Sequence, residues 1–293
     1  MKFQGSIVAL VTPFNQGKVD CKSLQGLVEW HCQSGTEGIV ICGSTGEGNL
    51  VTPLEREQII KSSLEAVRDV NHTPIIVGCG SSSTQEAIQM AIQAEKLGAQ
   101  GILVVSPYYV KPSQVGLYHH FDAIHKACGL PIIIYNNPGR SGVDQSLDLI
   151  CQLAELPRII ALKDSSSDLS RPTILRNRLG DGLSLLAGDD PITAAYLAQG
   201  GEGMISVTAN IVPSLSRQLI ASWKKQDIEK FNTINQNLMV LNVALGVETN
   251  PCPIKYALSA MGRIQNELRL PLLSILPENR IKIDEVLRKM EII

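Results

Sequence analysis

Ile159 to Ser167 reads I-I-A-L-K-D-S-S-S, an apolar β-type run that ends in a single lysine, Lys163, before polar loop residues begin. A lysine leaving the last turn of a buried strand sits where its ammonium is poorly hydrated, and lost hydration disfavours the charged form. A neutral amine in an apolar pocket is the nucleophile that forms a Schiff base with a carbonyl substrate. The same spacing also fits a strand that simply meets solvent, with Lys163 carrying its head into water. The ends of the other apolar runs bear on that choice.

Those ends are Gly43-Ser44-Thr45-Gly46-Glu47, Pro107-Tyr108-Tyr109, Tyr135-Asn136-Asn137-Pro138-Gly139-Arg140, Gly188-Asp189-Asp190, and Ile205 to Asn210. The glycine-flanked Ser44-Thr45 turn can point backbone N–H groups and two hydroxyls at a carboxylate or a phosphate. An ordinary turn held by Ser/Thr-to-backbone bonds is the alternative. Tyr135 closes P-I-I-I-Y, so its ring is expected inside and its hydroxyl at the mouth, where a phenol shuttles protons near an imine. A core tyrosine with a satisfied hydroxyl fits the same position. Arg140 lies in a loop bounded by proline and glycine, where a guanidinium clamps a carboxylate in bidentate fashion or is merely solvated.

Other polar groups carry less. His119, His120, Asp122 and His125 suggest a metal at first sight, but His120 and His125 are five apart on the expected helix. That misses the i, i+4 spacing of two ligands, so a solvent-facing surface is expected and no metal. His31 and His72 read as structural. Asp189-Asp190 has the look of paired carboxylates, yet Asp190 before Pro191 is placed to be a helix N-cap. No Ser-His-Asp constellation stands out.

The elements that position these groups form a repeat of strand then helix. Short β-branched runs occur at Ser6–Phe14, Gly38–Thr45, Pro74–Gly80, Gly101–Pro107, Pro131–Pro138, Ile159–Ser166, Leu183–Asp190 and Gly203–Asn210. Most are nearly continuous in hydrophobicity, as strands buried on both faces are. Thr52-Pro53-Leu54-Glu55 has the residues of a capping box, and Ser83 with Glu86 repeats the spacing. Ala87, Met90, Ala91 and Ala94 follow on one helical face, with Gly98 as a stop. Asp190-Pro191 opens another helix and Gly200-Gly201 closes it. Eight βα units argue for a (β/α)8 TIM barrel over a doubly wound sheet, which would want a G-x-G-x-x-G turn where Thr12-Pro13-Phe14-Asn15 stands. Barrel enzymes collect their reacting groups at the C-terminal strand ends, which is where the groups above fall.

The barrel is expected over residues 1–224. From 225 to 293 the strand pattern stops, and Phe231, Ile234, Leu238, Leu241 and Leu245 recur at helical spacing until Pro251 and Pro253. Further helices are expected around Ile254–Met261 and Glu278–Met290. This reads as a helical appendage packed on the barrel, with no sequence feature obliging it to carry chemistry.

The 293 residues are 44% hydrophobic and 18% charged, enough to bury a large aliphatic core. A formal net charge of −2 gives no electrostatic reason to expect nucleic acid or an anionic membrane surface. No apolar run approaches the roughly 20 residues of a spanning helix. The N-terminal run meets Pro13 and lacks an A-x-A-like cleavage site, so it reads as a first strand rather than a signal peptide. Seven cysteines without C-x-x-C spacing fit a reducing cytoplasm. Cys42 and Cys79, in or beside strands, are expected to pack as small hydrophobes.

G-S-T-G-E, Y-N-N-P-G-R-S-G and L-K-D resemble the pyruvate-dependent class I lyases of the dihydrodipicolinate synthase and N-acetylneuraminate lyase superfamily. The resemblance runs from G-S-I-V-A-L-V-T-P-F to E-T-N-P-C-P-I-K-Y-A. Within it, P-Y-Y-V-K-P-S-Q-V-G-L-Y-H-H-F, the arginine of P-G-R-S-G, L-A-G-D-D and G-M-I-S-V-T-A-N are similar to the dihydrodipicolinate synthases. N-acetylneuraminate lyases generally lack an arginine at the place of Arg140.

The resemblance implies a cofactor-free condensation of pyruvate with L-aspartate 4-semialdehyde, in lysine and diaminopimelate biosynthesis. Lys163 would form the Schiff base, with the pyruvate carboxylate on Ser44 and Thr45. Tyr135 would move protons at the imine, Thr45 and Tyr109 would complete a relay, and Tyr109 would reach in from a neighbouring subunit. Arg140 would hold the aldehyde's carboxylate, and backbone at Gly188 and Ile205 would line the lysine pocket. A homotetramer built from tight dimers is implied. Ser44-Thr45 stands where the synthases commonly have Thr-Thr, and neuraminate lyases also carry Ser-Thr. A sugar-acid lyase of the same chemistry therefore stays as an alternative; a metal-dependent aldolase and a barrel that binds keto acids without turnover are two further ones, the last opposed by the intact set of Lys163, Tyr135, Thr45 and Arg140. Lysine-inhibited bacterial relatives often have histidines where this chain has Pro53 and Arg56. Asn49, Ser82, Glu86 and Tyr108 are candidates for an effector site, with weak or absent lysine feedback expected because Arg56 adds positive charge there.

Overall fold

The computed structural model describes residues 2–68 and 73–293, so the reading of His72 falls outside the described residues. Eight parallel strands close into a barrel: β1 Gly5–Ala9, β2 Gly38–Ile41, β3 Ile75–Gly78, β4 Gly101–Val105, β5 Ile132–Asn136, β6 Ile159–Asp164, β7 Ser184–Ala187 and β8 Gly203–Ser206. Each is hydrogen-bonded to its sequence neighbours, and β1 closes the ring against both β2 and β8. The near-continuous apolar runs arise because each strand faces helices on one side and the barrel interior on the other. A short hairpin, Phe14–Asn15 with Lys18–Val19, follows β1, so the apolar run Ser6–Phe14 spans β1 and the first residue of the hairpin.

The outer helices begin as their sequences dictate. Helix α1 covers Cys21–Gln33, and α2, Pro53–Ala66, starts with a complete capping box between Thr52 and Glu55. Helix α3, Thr84–Leu97, has only half of one. Ser83 accepts from the Glu86 N–H, but the Glu86 carboxylate turns to the Ser81 hydroxyl instead of the cap. Gly98 ends α3 with φ +96°, a left-handed conformation in which only glycine is unstrained.

Helix α4, Gln114–Ala127, corrects one expectation. His119 is exposed, but His120 and His125 are buried with Leu117, Phe121 and Ile124 rather than facing solvent. Positions 117, 120, 121, 124 and 125 form one apolar stripe, and that spacing outweighed the ligand spacing. The His120 Nδ1 meets the Thr84 hydroxyl at 2.9 Å.

After β5 come α5, Pro138–Ser141, and α6, Leu147–Ala154; after β6 comes α7, Ser170–Leu179. A 3-10 turn at Asp190–Ile192 leads into α8, Thr193–Ala198, and Gly200 follows at φ +100°. Asp190 does not cap that helix. Its carboxylate accepts from the Val207 N–H at 2.8 Å, the Thr208 N–H at 3.1 Å and the Ser206 hydroxyl. It thus satisfies the donors that open the 3-10 turn Thr208–Asn210 beyond β8, a helix-capping job done across the barrel rim.

Helices α9, Pro213–Lys224, α10, Ile228–Leu245, α11, Cys252–Ala260, and α12, Pro277–Lys289, complete the chain. The apolar stripe Phe231, Ile234, Leu238, Leu241 and Leu245 is the buried face of α10. The packed interior divides into two clusters. One lies between strands and helices; the other, inside the barrel, holds Ile7, Val40, Ile76, Leu103, Ile133 and Ile205 among its members. Among the described residues no helix is long and apolar enough to cross a membrane.

Candidate active site

Period-two alternation along β5 and β6 builds the centre of the site. Ile133 and Ala161 point into the barrel, so Tyr135 and Lys163, two residues further, do so as well. The two strands pair Tyr135 with Lys163 directly in register. Lys163 Nζ therefore lies over the Tyr135 ring, 4.3 Å from its centroid, with the lysine only 5% exposed. The next pair, Asn136 with Asp164, faces outward and fixes the strand ends. Asp164 accepts from Arg171 Nε at 2.9 Å, Asn136 Nδ2 at 3.0 Å and the Ser166 N–H at 3.0 Å. Among the described residues Lys163 has no ion pair, unlike the chain's other deeply buried lysine, Lys255.

A cavity of about 160 Å³ opens over Lys163 at the C-terminal strand ends, and Ser44, Thr45, Tyr135, Arg140, Gly188 and Asp189 line it. Ser44 is exposed at its rim and Thr45 is 3% exposed. Their turn is closed by the Gly48 N–H donating to Gly43 O at 3.0 Å. A Cβ on Gly48 would sit 1.9 Å from Cys42 O, so only glycine lets the chain fold back this tightly. The Tyr135 hydroxyl accepts from Asn137 Nδ2 at 2.7 Å, which leaves its own proton available to the cavity. Burial pushes the Asp189 carboxyl above its ordinary range, and the Lys163 charge opposes the shift.

Two expected residues stand apart. Ile205 is fully buried in the cluster inside the barrel and lies outside the cavity lining. Tyr109 is 91% exposed at φ +72° and does not reach this chain's own cavity. Of the effector candidates, Asn49, Glu86 and Tyr108 line a second cavity together with Arg56, whereas Ser82 is exposed outside that lining. Arg56 is itself buried, donating to Gly78 O and to Cys79 Sγ.

Asn250 falls within E-T-N-P-C-P-I-K-Y-A, but nothing in its local sequence assigns it a role. It sits between α10 and α11, lines the cavity, donates from Nδ2 to Thr45 Oγ1 at 3.0 Å, and offers its backbone oxygen to Arg140 Nη2 at 2.9 Å. The C-terminal helices thus do contribute to the site. Lys255 on α11 was missed too; it pairs with Glu47 of G-S-T-G-E. A lysine within an apolar helix following E-T-N-P was the available signal, but nothing nearby in sequence named its partner.

The model of the Dihydrodipicolinate synthetase family matches residues 2–290. The chain belongs to this family. The 4-hydroxy-tetrahydrodipicolinate synthase of Thermodesulfovibrio yellowstonii is 44% identical over 291 residues, covering 99% of each chain. Among solved members of the family, dihydrodipicolinate synthase from Aquifex aeolicus superposes with a TM-score of 0.96 at 40% identity, covering 99% of each chain. The chloride-inhibited dihydrodipicolinate synthase from Acinetobacter baumannii, solved in complex with pyruvate, gives a TM-score of 0.95 at 42% identity and the same coverage.

Proposed function

We propose that this chain condenses pyruvate with L-aspartate 4-semialdehyde to 4-hydroxy-tetrahydrodipicolinate, through a Schiff base on Lys163, in lysine biosynthesis. The observation that carries the reading is a buried lysine amine with no ion pair among the described residues, held over a tyrosine ring in the cavity. Family membership and the relatives named 4-hydroxy-tetrahydrodipicolinate synthase support it.

The Lys163 amine attacks the keto carbon of pyruvate, and the resulting carbinolamine loses water to give an iminium. Tyr135, whose hydroxyl retains its proton, donates to the leaving hydroxyl. Tyr135, having given up its proton, takes one from the methyl group to give an enamine, whose carbon attacks the aldehyde carbon of the second substrate while the aldehyde oxygen takes up that proton. The amine of that substrate then adds to the imine carbon, closing the ring and expelling Lys163 as the free amine. Ser44 and Thr45 hold the pyruvate carboxylate, and Arg140 at the rim holds the carboxylate of the aldehyde. Gly188 supplies a wall without a side chain.

Tyr109 serves a second copy of the chain in this reading, completing its Thr45 relay within a homotetramer of tight dimers. The exposure of Tyr109, Val110 and Leu54 supports an assembly that covers them.

The test is to incubate the protein with pyruvate, reduce with borohydride and locate the added mass by peptide mapping. A label on Lys163 is expected; a label on Lys255, or none, overturns the proposal. Turnover of N-acetylneuraminate in place of aspartate semialdehyde would overturn the choice of aldehyde.

A further inference from the structure

Thr45 follows β2 and Arg140 follows β5, and one residue touches both. Asn250 is reached only after the whole barrel has been built, 205 residues along the chain from Thr45. Its side chain and its backbone engage different partners: Nδ2 donates to Thr45 Oγ1, while the carbonyl oxygen accepts from Arg140 Nη2. Its Oδ1 is buried with no hydrogen-bond partner among the described residues, so the bond to Thr45 is what fixes the amide. An unpaired buried acceptor is costly, and a side chain held this way is not there for stability alone.

We infer that Asn250 is a positioning residue for the proposed reaction: its amide N–H sets the direction in which the Thr45 hydroxyl hands on a proton. The inference rests on the Schiff-base reading above. A hydroxyl has one proton to donate and lone pairs to accept with. Because Asn250 Nδ2 occupies one of those lone pairs, the Thr45 proton is kept out of that bond and stays available to the relay. The backbone carbonyl meanwhile steadies the Arg140 guanidinium by a contact that no side-chain replacement at 250 removes. Side-chain variants should therefore act on proton transfer and leave the aldehyde's binding alone.

Three variants decide the matter, each first checked for its circular dichroism and assembly state. Asn250→Ala is expected to lower kcat about tenfold to a hundredfold, with the KM for aspartate semialdehyde changed less than about threefold. In a Thr45→Val background the same Asn250→Ala change is expected to cost less than about twofold, because the hydroxyl through which Asn250 acts is gone. Asn250→Asp keeps the shape but only accepts, so it draws the Thr45 proton out of the relay and lowers kcat at least as far as Asn250→Ala.

An Asn250→Asp enzyme with ordinary kcat would mean that Thr45 donates to residue 250, and would overturn the inference. Equal losses in the two backgrounds would overturn it as well, as would a raised aldehyde KM with kcat intact. If the parent chain takes no pyruvate label under borohydride, the reaction itself fails and this role falls with it. A labelled, active parent that is indifferent to Asn250 sinks the role alone.

Discussion

Lys255 Nζ lies 2.6 Å from Glu47 Oε1, and both side chains are fully withdrawn from solvent. Glu47 ends the G-S-T-G-E turn, and its second oxygen accepts from the Arg269 N–H at 2.9 Å. The pair therefore ties the turn that carries Ser44 and Thr45 to α11 and to the segment ahead of α12. Lys255 also sits over the Phe14 ring, 4.3 Å from its centroid. Burial pulls the Lys255 amine below its ordinary value, with the Glu47 charge acting in the opposite sense.

Removing one member of such a pair strands the other. Lys255→Met leaves the Glu47 carboxylate buried without its cation and is expected to destabilise the protein by about 3–5 kcal/mol. Adding Glu47→Gln, which still accepts from the Arg269 N–H, is expected to restore most of that loss. Urea unfolding of the two variants and the parent measures it. The pyruvate label should remain on Lys163 in the Lys255→Met protein, since that lysine has no part in the chemistry proposed here.

The sequence made the barrel legible because each strand is a short run buried on both faces and bounded by turn residues. Its strand ends were overrun: Gly38–Thr45 was expected and Gly38–Ile41 is found. Past the strand Cys42 and Thr45 remain buried, one apolar and one β-branched, so composition does not mark where pairing stops. Cys42 leaves the strand at φ +53°, a backbone change with no sequence signature in a cysteine. Lys163, Tyr135 and Thr45 were visible because each closes its own apolar run, and Arg140 because it lies in the proline- and glycine-bounded loop that follows Tyr135. Asn250 and Lys255 were not, since their partners Thr45 and Glu47 lie 205 and 208 residues away and single-sequence periodicity is blind to such pairings. Asp190 was assigned locally to a helix start, when its hydrogen bonds go to donors 16 to 18 residues further on.

Two buried histidines make the fold sensitive to acid. His31 is held at about 3 by burial, with Arg263 adding to the effect, and His120 at about 4 by burial. Both values lie below the ordinary 6.5, so between about 6.5 and those values the unfolded chain binds protons that the folded chain refuses. Stability is therefore complete above about 6.5 and falls as pH drops, by about 2 kcal/mol for each histidine at about pH 5. His120→Gln, which keeps a polar group near the Thr84 hydroxyl, should remove one share of the slope. Urea midpoints for parent and variant across that range test it, and parallel curves would contradict it.

Gly188 tests the shape of the cavity wall. A Cβ there would lie 2.1 Å from Ser165 Oγ and 2.8 Å from Asp164 O. The serine can rotate away, but the backbone oxygen cannot, because it accepts from the Gly188 N–H at 2.8 Å. Gly188→Ala must therefore move the end of β6 by several tenths of an ångström, and with it Lys163. A loss of about 1–3 kcal/mol in stability and at least about tenfold in kcat is expected, by unfolding and by steady-state kinetics. A variant with unchanged kcat would show that the position of Lys163 is not set from this side.

The second cavity bears on feedback by the pathway's amino acid. Asn49, Glu86 and Tyr108 line it, and Glu86 offers a carboxylate to a cation, but that carboxylate already accepts from the Ser81 hydroxyl. Burial, followed by the nearby Glu86 charge, holds the Tyr108 phenol above its ordinary value, so it stays neutral and adds no negative charge for an ammonium group. Arg56, always protonated, forms part of the same lining and opposes a ligand with two ammonium groups and a net positive charge. Millimolar L-lysine is thus expected to lower the initial rate less than twofold, and Arg56→His to make the enzyme more sensitive by removing a fixed charge. Half-inhibition of the parent at micromolar L-lysine would contradict this reading, and an Arg56→His enzyme with unaltered sensitivity would remove Arg56 as its cause.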